Sequence, residues 1–366
     1  MKLYIITLFT LLLSGCGDDG PEQELTPPSN LTVAVTVNPD NSGKVAVVAT
    51  AVNANFFNIY FGEDEDEIPL KVADGKGSYQ YAASGEYAIR VQAHTTDDVF
   101  ISDTENVTVT RQGTGGVVIP TTGYTTPETY DGMTLVWQDE FEGTSLNTND
   151  WIFETGTGSN GWGNNELQYY RQENTTVQDG FLIISAKKES FQGQDYTSSR
   201  IITKDKQSFQ YGRIDIRAAL PKGQGIWPAL WMLGENFGSV GWPASGEIDI
   251  MEMIGGNGRE NTVHGTVHWD NNGQYASYGQ GNTLTAGTFA DEFHVFSIVW
   301  NETSITWYRD DIQFNVVDIT PAALSEFKNE FFFIFNVAVG GNWPGSPNTS
   351  TTFPQHMIVD YVRVFQ

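Results

Sequence analysis

Basic residues are scarce. Lys+Arg number 19 against 45 Asp+Glu, a formal net charge of −26 at pH 7. A surface that negative repels nucleic acid and anionic lipid. Nucleic-acid binding is therefore excluded, and sulfated polymers are poor ligands unless a local basic patch exists. Cysteine is scarcer still: Cys16 stands alone, so neither a disulfide framework nor a thiolate metal cluster is available. No apolar run reaches the ~20 residues that a membrane-spanning helix needs. No long stretch carries a helical period. Tryptophan is missing before residue 137, and all ten lie between Trp137 and Trp343. That asymmetry implies two modules with different tasks, which a length of 366 residues readily accommodates.

The N-terminus reads as a targeting segment. Lys2 precedes an apolar run, Leu3 to Leu13, broken only by Thr7 and Thr10. The run has the length of a signal-peptide core rather than of a membrane span. Leu13-Ser14-Gly15-Cys16 resembles the bacterial lipoprotein cleavage box. The resemblance implies removal of residues 1–15 and lipidation of the Cys16 thiol. Residues 16–29 form an acidic tether, and Gly17-Asp18-Asp19-Gly20 is similar to tethers that send lipoproteins to the outer surface of Gram-negative cells. The expected location is the outer membrane, lipid-anchored and facing outward, with several acyl chains holding firmly.

Residues 30–111 alternate in short strands: Leu31 to Val35, Lys44 to Val52, Phe56 to Phe61, Tyr87 to Ala93 and Val107 to Thr110, separated by turn residues. A small β-sandwich is expected. Gly85-Glu86-Tyr87-Ala88-Ile89-Arg90-Val91 resembles the late strand of polycystic-kidney-type (PKD) or immunoglobulin-like modules. The acidic run Glu63 to Glu67 lacks the glycine of a calcium loop and reads as solvated. A spacer role is expected, with carbohydrate binding as the alternative, because the region has no tryptophan for sugar stacking. Residues 112–130, rich in Gly, Thr and Pro, read as a linker.

Residues 131–366 are dominated by strands: Phe181 to Lys187, Tyr211 to Leu220, Glu247 to Ile254, Thr262 to Trp269, Phe293 to Trp300, Thr303 to Arg309, Phe331 to Val339 and Met357 to Phe365. This predicts a large sandwich or jelly roll whose curved sheet offers a groove for an extended polymer. The informative segment is Gly246-Glu247-Ile248-Asp249-Ile250-Met251-Glu252. Side chains alternate along a strand, so Glu247 and Asp249 share a face while Glu252 falls on the other. One extra residue, a β-bulge at Ile250-Met251, returns Glu252 to the first face. Two carboxyls set about 5 to 5.5 Å apart around a glycosidic bond perform retaining hydrolysis, one as nucleophile and one as acid/base. Asp249 between them raises the cost of ionising its neighbours and keeps one protonated. A solvated acidic edge strand is the structural alternative. Like charges so close, with Ile interleaved, argue against it.

Trp242-Pro243-Ala244-Ser245-Gly246-Glu247-Ile248-Asp249-Ile250-Met251-Glu252 resembles the active-site signature of glycoside hydrolase family 16, in the bulged form typical of laminarinases. Gly161 to Tyr170, Gly225 to Leu233, His264 to Trp269 and Asn336 to Gly345 continue the likeness from about Leu135 to Gln366. The resemblance implies a concanavalin-like β-jelly roll with a catalytic cleft on its concave sheet. It implies Glu247 as nucleophile, Glu252 as acid/base and Asp249 as the assisting carboxylate. Trp227, Trp231 and Trp242 match the cleft tryptophans, whose flat indoles suit the apolar face of a glucose ring. Core packing is the alternative for Trp227 and Trp231, which share parity. Asn165, Glu166 and Arg200 match polar sugar contacts, although Arg200 alone would also fit a surface salt bridge. Trp343 is a further candidate for the groove wall.

His264 and His268 lie four residues apart, which on a strand is about 13 Å, too far for one metal. By the resemblance His268 is expected beside Glu252, near the acid/base or a sugar hydroxyl. No cofactor is expected for the chemistry. A structural calcium ion is implied at Glu140, the Gly180 carbonyl and Asp360. The expected whole is a monomeric, surface-anchored endo-β-1,3-glucanase acting on laminarin-like glucans. The alternatives are a family 16 hydrolase of mixed-linkage glucan, agar, porphyran or carrageenan, and a non-catalytic glucan-binding lipoprotein.

Overall fold

The computed structural model describes residues 25–38, 43–63, 67–81, 84–109 and 117–366. Cys16, the signal segment and most of the tether lie outside the described residues, as do residues 64–66 of the acidic run. The chain divides into two compact units, Met1–Gln112 and Gly113–Gln366.

The first unit is a two-sheet sandwich. Strands Ser29–Val37, Lys44–Val52 and Lys76–Gln80 form one sheet, and Leu70–Val72, Phe56–Tyr60, Gly85–Thr96 and Val99–Val109 the other. Period-2 alternation does the work: Val45, Val47 and Ala49 of one sheet meet Phe57, Ile59, Ile89, Val91 and Ala93 of the other in one buried cluster. The short strands Leu70–Val72 and Lys76–Gln80 escape the sequence pattern because turn residues dominate around them. Both oxygens of Glu67 accept backbone N–H bonds, from Phe61 and Gly62, so one end of the acidic run serves to close a turn.

The second unit stacks two antiparallel sheets. The inner sheet has the order Tyr275–Thr283, Thr262–Asp270, Glu247–Glu252, Ile226–Gly234, Phe331–Val339, Arg200–Ile202 and Ile152–Glu154. The outer sheet has eight strands, with Gln355–Phe365 and Gly212–Ala219 at its middle. Between them lies one large core to which both sheets contribute. Phe331, Phe333, Phe335, Val337 and Val339 point into it from one strand, and Ile214, Ile216 and Ala218 from the opposing sheet. Nearly every phenylalanine in that core is fully buried, and each such side chain removes about 1.5–3 kcal/mol worth of apolar surface from water. Several strands lie outside the sequence expectation, among them Ile226–Gly234, Arg200–Ile202 and Ile152–Glu154 of the inner sheet and two edge strands. Tyr275–Thr283 is an edge strand with little apolar alternation, and Ile312–Asp318 is the outer-sheet edge, mostly exposed.

The linker expectation needs correction. Residues 117–130 belong to the second unit: Val117 and Ile119 pack on Ile183, Ala219, Phe293 and Ile358 on the outside of the outer sheet. Gly123 bridges Phe293 with a φ of 136°, and a Cβ there would meet the Phe293 main chain at about 2 Å. The hydroxyls of Tyr124 and Tyr130 bind Asp311 and Asp215, and Thr126 binds the Tyr361 hydroxyl. Gly, Thr and Pro composition suggested a free tether, but three hydroxyl contacts and a close backbone approach make it a strap.

Candidate active site

Strand Glu247–Glu252 carries the predicted bulge. Its partner residues on one side run Glu247↔His268, Asp249↔Thr266, Glu252↔His264, so three steps along this strand match two on its neighbour. On the other side Met251 pairs with Leu230 and Asp249 with Trp231, leaving Ile250 as the extra residue. Ile248, Ile250 and Met251 all enter the core. Two successive apolar side chains are thus buried, and Glu247, Asp249 and Glu252 emerge together on the concave face. The bulge position follows from the sequence, since an adjacent Ile-Met pair can be buried together only if the alternation breaks between them.

Pairing across the sheet lays out the floor. One transverse row runs Gly281, His264, Glu252, Ala229, Asn336, Arg200, Glu154. Its neighbour contains Gly279, Thr266, Asp249, Trp231 and Ile334. These rows cross the strands, so a polymer lying along them passes over the carboxylates.

Three cleft tryptophans use the indole N–H to hold a polar group. Trp227 Nε1 donates to Glu252 Oε1 and Trp242 Nε1 to Glu247 Oε2, both at 2.9 Å. Trp231 Nε1 donates to Asn336 Oδ1 at 2.8 Å. Core packing is therefore the wrong reading for Trp227 and Trp231: both sit half-buried on the concave face. Trp242 and Trp343 are 49% and 40% exposed, which leaves ring surface for a ligand. Trp343 meets Trp227 and His264 edge-on.

At the other end of the floor, Arg200 lies between the rings of Trp162 and Trp231, with its guanidinium carbon 4.6 and 4.9 Å from their centroids. Its Nε donates to Glu154 Oε2 at 2.5 Å. With 12% of its side chain exposed, this is an ion pair inside the groove and not on the outer surface. Glu166 accepts from Asn164, Gln168 and the Tyr170 hydroxyl. Asn165 donates to Asn342 Oδ1 at 2.9 Å, tying two loops of the rim. Glu154, Trp162, Tyr170 and Asn336 were not anticipated as members of the site. A lone Glu in Trp151-Ile152-Phe153-Glu154 carries no pattern of its own, and only the register opposite Arg200 brings it in.

His268 is placed differently from expectation. It lies opposite Glu247, not Glu252, and its Nε2 is 3.1 Å from Asp249 Oδ2 and 3.8 Å from Glu247 Oε1. The residue opposite Glu252 is His264. The turn between the two strands sets this register, and no local pattern in either strand reports it. His264 is pushed to lower pKa by burial.

The three carboxyls are driven toward their protonated forms. Burial, then the charge of Asp249, raises Glu247 to about 8. Burial raises Asp249 to about 7, against hydrogen bonds from both glutamates that favour its anion. Glu252 is raised well above the ordinary range by burial and by the charges of Asp249 and Glu247. An ionised carboxylate only accepts hydrogen bonds, so bonds among three carboxyls require shared protons. Glu247 has three groups favouring its anion: His268, the Trp242 N–H and Arg200. The three carboxyls titrate as one coupled set, with the charges of Asp249 and Glu247 favouring the protonated form of Glu252.

The residues expected to hold calcium are otherwise engaged. Both oxygens of Glu140 accept from Arg363, at 2.7 and 2.9 Å. Asp360 Oδ2 accepts from Arg217 at 2.6 Å. The Glu140 carboxylate has no oxygen free of its arginine, and a guanidinium beside the site repels a cation. As arranged, these side chains do not fit an ion.

A sequence profile described as glycosyl hydrolases family 16 matches residues 162–363. The chain belongs to that family. The clotting factor G alpha subunit of Tachypleus tridentatus is 43% identical over 235 residues, covering 63% of this chain. That match spans only 34% of the length of the clotting-factor subunit. The β-glucanase of Rhodothermus marinus is 42% identical over 246 residues, 63% of this chain and 85% of that protein. Among solved structures, the catalytic domain of an endo-1,3-β-glucanase (laminarinase) from Thermotoga petrophila RKU-1 shares 47% identity, with a TM-score of 0.60, 64% of this chain and 98% of that one covered. The second unit is therefore a family 16 jelly roll with endo-1,3-β-glucanase homologues. These likenesses cover the second unit and leave the kind of the first unit's sandwich to proposal.

Proposed function

We propose that the chain hydrolyses internal β-1,3-glucosidic bonds of laminarin-like glucans with retention of anomeric configuration. The observation that carries this reading is the bulge at Ile250, which puts Glu247 and Glu252 on one face with Asp249 between them. In the working form Glu247 is ionised, steadied by Trp242 and His268, and Glu252 holds its proton. Glu247 attacks the anomeric carbon while Glu252 protonates the departing glycosidic oxygen. Water then enters, Glu252 takes its proton, and the glycosyl–Glu247 ester is released as sugar. Asp249 hydrogen-bonds both glutamates, and its charge favours a proton on Glu252. The endo mode is supported by the floor, which runs from Glu154 to Gly281 across the whole inner sheet. We further propose that Cys16 carries the lipid anchor at the cell surface, that the first unit is an immunoglobulin- or PKD-like spacer, and that the protein acts as a monomer. Any structural calcium would have to draw on main-chain oxygens such as that of Gly180.

Purified protein supplied with laminarin, lichenan and agar tests the reading. Laminarin is expected to be cut fastest, with the β-anomer appearing first in proton resonance spectra. Early α-product contradicts retention, and preference for agar or lichenan contradicts the substrate. Binding of laminarin with no reducing ends released would make the protein a glucan-binding lipoprotein instead.

A further inference from the structure

The edge strand Tyr275–Thr283 contributes a side chain to the catalytic cluster that the mechanism above leaves unused. The Tyr275 hydroxyl lies 2.8 Å from His268 Nδ1. Its ring stands parallel to the imidazole, at 14° and 5.8 Å between centroids, and 5.2 Å from the ring of Trp242. Nε2 of the same imidazole faces Asp249 Oδ2 at 3.1 Å. Tyr275 is 55% exposed, so little of its surface is used for packing. A residue kept there for burial alone would cover itself better.

We propose that Tyr275 is a positioning residue: its hydroxyl donates to His268 Nδ1 and so holds the neutral imidazole as the tautomer protonated at Nε2, the nitrogen 3.1 Å from Asp249 Oδ2, a buried oxygen that has no hydrogen bond of its own among the described residues. A neutral imidazole carries one proton, and the bond made at one nitrogen decides which. With Nδ1 accepting, the proton resides on Nε2, where it supports the anion of the attacking glutamate. Without the hydroxyl the two tautomers mix, and part of the population turns a lone pair toward two carboxylates. The rings of Trp242, Tyr275 and His268 form a triangle, with centroids 5.2, 5.8 and 6.4 Å apart. This deepens the hydrolase reading and rests on it for its kinetic consequence, though not for the tautomer itself.

The groups nearest His268 are Glu247 and Asp249 from the bulged strand, with Glu252 further along it, and Tyr275 from the edge strand. Asp270 stands on its own strand with Glu326 beside it, and Arg200 acts on Glu247 from across the floor. Loss of the Nε2–H donor leaves the carboxylate anions less supported, so they take up protons at higher pH.

The test is Tyr275→Phe, which keeps the ring, in wild-type and His268→Gln backgrounds. For Tyr275→Phe alone we expect kcat on laminarin to fall about fivefold with KM within about twofold. The acidic limb of the pH profile should move up by about half a pH unit. In the His268→Gln background the same change should have no further effect, because the hydroxyl acts through the ring. Nitrogen-15 resonances of His268, assigned by their loss in His268→Gln, give a readout that needs no turnover. They should show the neutral ring protonated at Nε2 in the wild type and a tautomer mixture in Tyr275→Phe. A wild-type ring protonated at Nδ1, an unchanged tautomer in the variant, or an equal kinetic effect in both backgrounds overturns the proposal. If laminarin is not hydrolysed at all, the hydrolase reading fails while the resonances still decide the role of Tyr275.

Discussion

The two sheets of the second unit treat buried acids in opposite ways. On the outer sheet four acids have a cation: Glu140 has Arg363, Asp360 has Arg217, Asp215 has Arg213, and Asp310 has His294 and Arg309, whereas Asp139, held by the Phe141 N–H and the Trp151 indole N–H, has none and is raised by burial. Asp310 is accordingly held below the usual carboxylate range, its hydrogen bonds and the charge of His294 outweighing burial. On the inner sheet three acids crowd one bulged strand with a single histidine close by, and all three are pushed upward. Burial is common to both sheets. The partner decides the outcome: a guanidinium turns a buried acid into a fixed anion that ties strands together, and its absence turns one into a proton store. Desolvated carboxyls that face one another across a groove mark a place where a proton can be used.

Substitutions that exchange these conditions should separate the sheets, and the largest effect belongs to the inner one. Glu247→Gln is expected to lower kcat on laminarin by at least about a thousandfold while leaving the fold intact by circular dichroism. A variant within about tenfold of wild type would remove the nucleophile assignment. Asp249→Asn should lose less, about tenfold to a hundredfold, because it acts by hydrogen bonds to the two glutamates.

On the outer sheet the expectation reverses. Glu140→Gln leaves Arg363 without its counter-charge and should cost about 2 kcal/mol of stability, read as a lower Tm, with kcat at 25 °C unchanged. Equal losses of stability and activity would mean that the outer pairs feed the cleft.

A pH dependence gives a further contrast. For Glu247 the folded value, about 8, lies above the ordinary 4.5. Between those values the native state holds a proton that the unfolded chain has released. Stability then falls as pH rises through that window. Glu247→Gln should therefore have the higher Tm at pH 8, with the difference shrinking toward pH 5, in paired thermal melts. A difference that grew toward pH 5 would reverse the sign of the argument.

Much of this contrast was legible in residues alone. The Glu247 to Glu252 run disclosed strand, bulge and shared face at once, because an adjacent Ile-Met pair is incompatible with simple alternation between three carboxylates. The phenylalanines of Phe331–Val339 marked a central strand. What stayed hidden depends on register or on polar edges. Which histidine meets which glutamate is set by a turn, so His268 was paired with the wrong one. Strand Tyr275–Thr283 has one side facing the groove and little apolar pattern to report itself, so Tyr275 went unseen. Residues 117–130 have a linker's composition, and only distant partners such as Asp215 and Tyr361 reveal that they are held. The arginines that occupy Glu140 and Asp360 were equally invisible, since each pair joins residues more than a hundred positions apart.

The central claim is that the bulge presents Glu247 to an anomeric carbon and Glu252 to the leaving oxygen. Trapping the reaction with a 2-deoxy-2-fluoro laminari-oligosaccharide fluoride and mapping the labelled peptide by mass spectrometry tests it most directly. The expected result is one glycosyl group esterified to Glu247. A label on Asp249 or Glu252, or brisk turnover of that reagent with inversion, would contradict it.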